Sequence, residues 1–127
     1  MIKPISHLLA NISQPARLQI LLAIGEGEAC VCHLETLLGY RQAYISQHLM
    51  ALRKIGLLDT RREGRYVFYR LQDQKLLDLM RAAGHVAGIS PGELDQLIST
   101  NPLPQCCCPD CVSKTNNEIM LKEDGLL

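Results

Sequence analysis

The chain has 127 residues, 47% of them hydrophobic, and a formal net charge of zero. That fits one compact domain with a modest core and excludes both a disordered chain and a uniformly basic nucleic-acid coat. No apolar run is long enough to span a membrane, and the first residues lack the sustained apolar stretch of a secretory signal, so the protein is expected in the cytoplasm, where thiols stay reduced.

The predicted elements run as follows. A first helix spans about Pro4 to Asn11. Ser13 reads as the N-cap of a second, with Pro15 in its first turn and Gly25 and Gly27 ending a strongly apolar run. A third helix starts near Cys30 to Cys32, carries Leu34, Leu37 and Leu38, and stops at Gly39. The turn Gly39-Tyr40-Arg41 leads to a fourth, Gln42 to Ile55, on which Ile45, Leu49 and Leu52 share one face. Ala43, Ser46, Gln47, Met50 and Lys54 fall opposite, while His48 flanks the apolar side and reads as structural.

After Gly56 the period changes. Leu57 to Arg62 and Arg65 to Leu71 read as two strands around Glu63-Gly64, with Tyr66, Val67, Phe68 and Tyr69 as strand formers. A fifth helix follows from about Gln72 to Ala83. Ser90-Pro91-Gly92-Glu93 carries the start signals of a sixth, to about Ser99. The organisation expected is a domain over residues 1–100 and a Cys-rich, flexible tail over 101–127.

Charge is unevenly placed. Residues 41–70 carry a net of +5, and residues 91–127 a net of −4. A basic middle binds phosphate locally while the molecule stays neutral. Two helices joined by a glycine-containing turn, then a basic hairpin, make a winged helix-turn-helix: mainly α with a small β-hairpin as the wing. The first turns of the fourth helix would enter the major groove, with Arg41, Gln42, Tyr44, Ser46 and Gln47 at the DNA. Arg61, Arg62 and Arg65 on the wing would meet phosphates or the minor groove. Singly, each is an ordinary surface residue; the order of the pieces is what points to DNA.

The pieces SQPARLQILLAI, ACVCHLETLLGYRQAYISQHLMALRKIGLL and REGRYVFYRL resemble the ArsR/SmtB family of metal-responsive bacterial repressors. The resemblance covers nearly half of the chain. It implies a homodimer joined through the first and fifth helices, with each subunit reading one half of an inverted-repeat operator, the half-sites about one helical turn (~34 Å) apart. It also implies release of DNA on metal binding. In arsenic-sensing members CVC opens the third helix, often with a third cysteine one turn on; here that place holds Glu35. Cadmium and lead sensors of the family add cysteines from an N-terminal arm, which this chain lacks. The family's second site, between paired fifth helices, is not reproduced by Asp73, Asp78 and His85.

Cys30 and Cys32 are therefore the first candidate ligands. Side chains at i and i+2 of a regular helix point about 200° apart, so two thiolates there converge only where the backbone is extended or just entering the helix. Gathering them is expected to change the first turn of the third helix and shift the fourth. A helix start also favours deprotonation of a thiol. Further sulfurs would come from Cys106, Cys107, Cys108 and Cys111, on a segment that Pro102, Pro104 and Pro109 keep out of helix. Thiolates select soft ions, so the inducer expected is arsenite, Cd(II) or Pb(II), with no organic cofactor. Two alternatives use the same cysteines. One is a redox or reactive-sulfur switch. The other is a thiol reductase built on Cys108-Pro-Asp-Cys111, which has neither the βαβ setting nor an activating base, so no enzyme is expected.

Overall fold

The computed structural model describes residues 1–98. Six helices and three short strands follow in the order α1 (Ile2–Ile12), α2 (Pro15–Ile24), β1 (Ala29–Cys30), α3 (Val31–Leu38), α4 (Gln42–Lys54), β2 (Leu58–Glu63), β3 (Tyr66–Leu71), α5 (Lys75–Val86) and α6 (Pro91–Leu97).

α2 is apolar nearly all round and is the central helix: Ala16, Ile20, Leu21, Ala23 and Ile24 are buried. Around it close Leu34 of α3, Ile45, Leu49 and Leu52 of α4, and Leu76, Leu77 and Met80 of α5. The stripe expected on the fourth helix is thus the one buried. Ser13 does not cap α2. It ends α1, its hydroxyl donating to the Ala10 carbonyl at 3.1 Å, and Gln14 takes the N-cap position. Pro15 fills the first turn as expected.

α3 ends on Gly39 at φ 77°, and Tyr40 and Arg41 lead straight into α4. The wing differs from expectation by one residue. Glu63 pairs with Tyr66, so the two-residue turn is Gly64-Arg65 rather than Glu63-Gly64. Gly64 stands at φ 60° and, among the described residues, no non-glycine has positive φ, the glycine-first arrangement of a type II′ hairpin turn.

β1 was not foreseen. It adds a third strand, so the sheet order is β1-β3-β2, all antiparallel, with Cys30 opposite Phe68. α5 begins three residues later than expected, after Asp73, whose carboxylate accepts from the Lys75 backbone N–H at 2.9 Å. α6 carries the predicted capping box between Ser90 and Glu93. Its C-cap, Ile98, lies against Gly25, where an added Cβ would come 2.7 Å from the isoleucine Cγ2; Gly25 also holds φ 54°.

Candidate DNA-reading surface and dithiol site

α4 presents Gln42, Ala43, Tyr44, Gln47 and Met50 to solvent; Ser46 is half-buried. Arg41 is exposed at the N-cap position. Tyr44 is half-engaged: its ring lies 5.1 Å from that of Tyr40 and meets His48 edge-on at 4.6 Å. His48 is buried and accepts a hydrogen bond at Nδ1 from Arg17 Nε at 3.0 Å. Arg17 also donates to the backbone and side-chain oxygens of Asn11. Burial, then the Arg17 charge, hold the His48 imidazole below its ordinary pKa.

The three wing arginines stand differently. Arg62 and Arg65 are exposed, Arg65 on the turn with its guanidinium 5.8 Å from the Tyr66 ring. Arg61 is engaged: it donates to Glu28 at 3.1 Å and to Glu63 at 3.1 Å, and lies 4.6 Å above Phe68. These carboxylates raise its already high pKa.

Cys30 lies on the other side of Phe68 from Arg61 in the sheet register. It ends β1 with φ −91° and ψ 168°, extended as convergence requires, and serves as the N-cap of α3, its sulfur accepting from the His33 N–H at 3.4 Å. Cys32 lies one residue inside the helix. The two sulfurs are 2.9 Å apart. The convergence comes from the strand-to-helix corner, where Cys30 is extended just before α3 begins at Val31. Buried Cys30 packs on buried Phe68, with Cys32 and Tyr66 beside them. The sheet register places Cys30, Phe68 and Arg61 in one row across β1, β3 and β2. Glu28, two residues before Cys30, completes the link to Arg61. Phe68 is the buried strand residue expected from the sequence, but Glu28 was missed; the alternation Glu28-x-Cys30 was the available signal, legible only once β1 is recognised.

A cleft of about 310 Å3 opens beside the sulfurs. Val31, Tyr66, Val67, Tyr69, Gln42 and Arg65 line it, so it touches both α4 and the wing. Among the described residues, no three His, Cys, Asp or Glu side chains converge as a metal cage. The two sulfurs fit part of a soft-ion site: an edge of about 3.8 Å, that of a tetrahedron with metal–sulfur bonds near 2.3 Å, needs only a small opening of the pair. Cys106, Cys107, Cys108 and Cys111 lie outside the described residues.

The sequence matches the family model for bacterial regulatory proteins of the arsR family over residues 14–60. It is 41% identical over 78 residues to a biofilm growth-associated repressor of Agrobacterium fabrum, covering 61% of this chain and 67% of that protein. It is 48% identical over 66 residues to the arsenical resistance operon repressor of Escherichia coli, covering 51% and 56%. The fold matches a homodimeric winged helix-turn-helix DNA-binding domain from Mycobacterium bovis, with TM-score 0.61 and 29% identity over 68% of this chain and 81% of that one. These relatives are transcriptional regulators and not enzymes. With the helix-turn-helix, the basic wing and the matched segment agreeing, the chain belongs to the arsR family of bacterial regulatory proteins and is a winged helix-turn-helix transcriptional repressor.

Proposed function

We propose that this repressor binds an inverted-repeat operator as a homodimer and releases it when arsenite, Cd(II) or Pb(II) binds Cys30 and Cys32. Gln42, Ser46 and Gln47 read base edges. Arg41, Arg62 and Arg65 meet phosphate, Tyr44 packs on sugar or a thymine methyl, and Arg61 joins when it leaves Glu28. Residues 1–100 form the DNA-binding and dimerisation unit. Residues 101–127 supply further sulfur from Cys106, Cys107, Cys108 or Cys111.

The observation that carries this reading is the sulfur pair at 2.9 Å, set at the corner between β1 and α3. A soft ion there pulls on two elements at once. α3 packs against α4, and β1 is hydrogen-bonded to the wing. The tail can reach its own subunit's pair. It leaves Ile98 beside Gly25, and Gly25 stands five residues from Cys30, at most about 18 Å along an extended chain. Cys106 lies eight residues past Ile98, a reach of about 26–29 Å.

Titrating arsenite or Cd(II) into the protein–operator complex tests the reading. A weakening of about 5–150-fold is expected, the usual span of allosteric coupling. Cys30→Ser or Cys32→Ser should keep operator binding and lose release. The same close pair favours a second reading, in which a peroxide oxidises the two thiols to a disulfide and is itself reduced to an alcohol and water. Mass spectrometry after peroxide treatment, beside the metal titration, separates the two.

A further inference from the structure

We infer that Met50 is a specificity-determining residue of α4, and that it selects a thymine by packing on the 5-methyl group in the major groove. This rests on the proposed reading of α4 as the groove helix and adds to it an apolar base contact, made almost one turn beyond Gln47. Most exposed large hydrophobics among the described residues belong to α1, α5 and α6, and the proposed dimer joins through the first two of these. Tyr44 and Met50 belong to α4 instead. The Tyr44 ring has the rings of Tyr40 and His48 beside it. Met50 is 61% exposed, so an apolar surface brought against it gains by releasing water.

The surroundings decide what that surface is. α4 carries no Asp or Glu. Arg53 and Lys54, three and four residues beyond Met50, are both exposed, and side chains at those spacings are neighbours on a helix. A methionine with two cations beside it suits a polyanion better than an apolar protein face. In the major groove the apolar group of a base is the C5-methyl of thymine, and apolar side chains are what contact it. Methionine is unbranched and polarisable and adapts to such a small, irregular surface. Helix geometry supplies the position. Met50 lies about 4.5 Å further along the axis than Gln47 and about 60° round from it. It lies within about 20° of Ala43, which is about 10.5 Å behind it. Ala43, Gln47 and Met50 thus make one exposed stripe opposite the buried Ile45, Leu49 and Leu52. With α4 along the groove, Met50 faces a base pair about one or two steps, of ~3.4 Å each, from the one Gln47 faces.

The test uses the full chain and an operator that it enriches from a random duplex pool. Each thymine is replaced in turn, in both half-sites, by deoxyuridine, which removes the methyl and keeps the pairing edge. At one position this should weaken binding about fourfold per half-site, the order expected for one methyl left in water. Met50→Ala should bind the intact operator more weakly and be indifferent to deoxyuridine at that position. Met50→Leu, still apolar, should keep the discrimination, and Met50→Gln should lose it. A flat deoxyuridine series with the unaltered chain overturns the inference, and so does Met50→Ala that keeps the full series of losses. If Gln47→Ala relaxes base preference while the deoxyuridine series is flat, the groove reading stands and the Met50 contact falls. If the chain enriches no sequence, or neither Gln47→Ala nor Met50→Ala alters preference at any base pair, both fall.

Discussion

Arg17, Asn11, His48 and Tyr44 form one connected set reaching from α1 through α2 to α4. His48 can accept from Arg17 only while its Nδ1 is unprotonated. Its pKa is lowered from 6.5 by burial and by Arg17, so the unfolded chain takes the proton more readily. The stability contributed by neutral His48 is complete above that value and is lost as pH falls through it toward the lower folded one. Urea unfolding should show this loss as pH falls below the ordinary imidazole value of 6.5, and His48→Gln should lessen the loss. A structural role for His48 was legible from its place beside the apolar stripe. Arg17 was not, because a partner 31 residues away leaves no local pattern. The same limit hid Glu28. Its bond to Arg61 neutralises a wing charge, so Glu28→Gln should tighten operator binding at low salt. It should also steepen the log–log salt dependence by about 0.9, one more phosphate neutralised, in anisotropy titrations. Arg62→Ala or Arg65→Ala should flatten it.

The helices were legible where hydrophobic spacing and caps agreed. Leu49 on α4 is wholly buried, and Leu49→Ala should cost about 2–5 kcal/mol of stability in denaturant unfolding, since a cavity adds to the lost transfer free energy. The strands were harder. β1 has two residues, too few for an alternating pattern, and its existence depends on β3 lying alongside it. That strand is what makes Cys30 extended, so the geometry of the dithiol pair could be stated from sequence only as a condition. The hairpin turn moved by one residue because Gly64 is the position that needs positive φ, and Glu63 is better used pairing with Tyr66. Ser13 was misassigned because a serine between two helices can serve either end, and the structure uses it on α1.

Ile2, Ile5 and Leu9 of α1 and Leu79 and Val86 of α5 are exposed, more apolar surface than two helices of a monomer usually leave in water. Under the proposed homodimer, this is surface that a second copy would cover. Ile5→Glu should give a monomer in sedimentation equilibrium and lose most operator affinity, because both half-sites must be held together. The basic segment 41–70 and the acidic 91–127 are legible from charge alone; under the proposed function the first faces DNA and the second is repelled by it. The proposed inducer is named only as a class, since sulfur chemistry selects soft ions without choosing among them. The decisive measurement is operator affinity with the cysteines saturated by arsenite or Cd(II), with sulfur coordination confirmed by X-ray absorption on the same sample. Coordination by Cys30 and Cys32 together with a fall in affinity of about 5-fold or more is the predicted result. Full sulfur coordination with the operator held as tightly as before would contradict it.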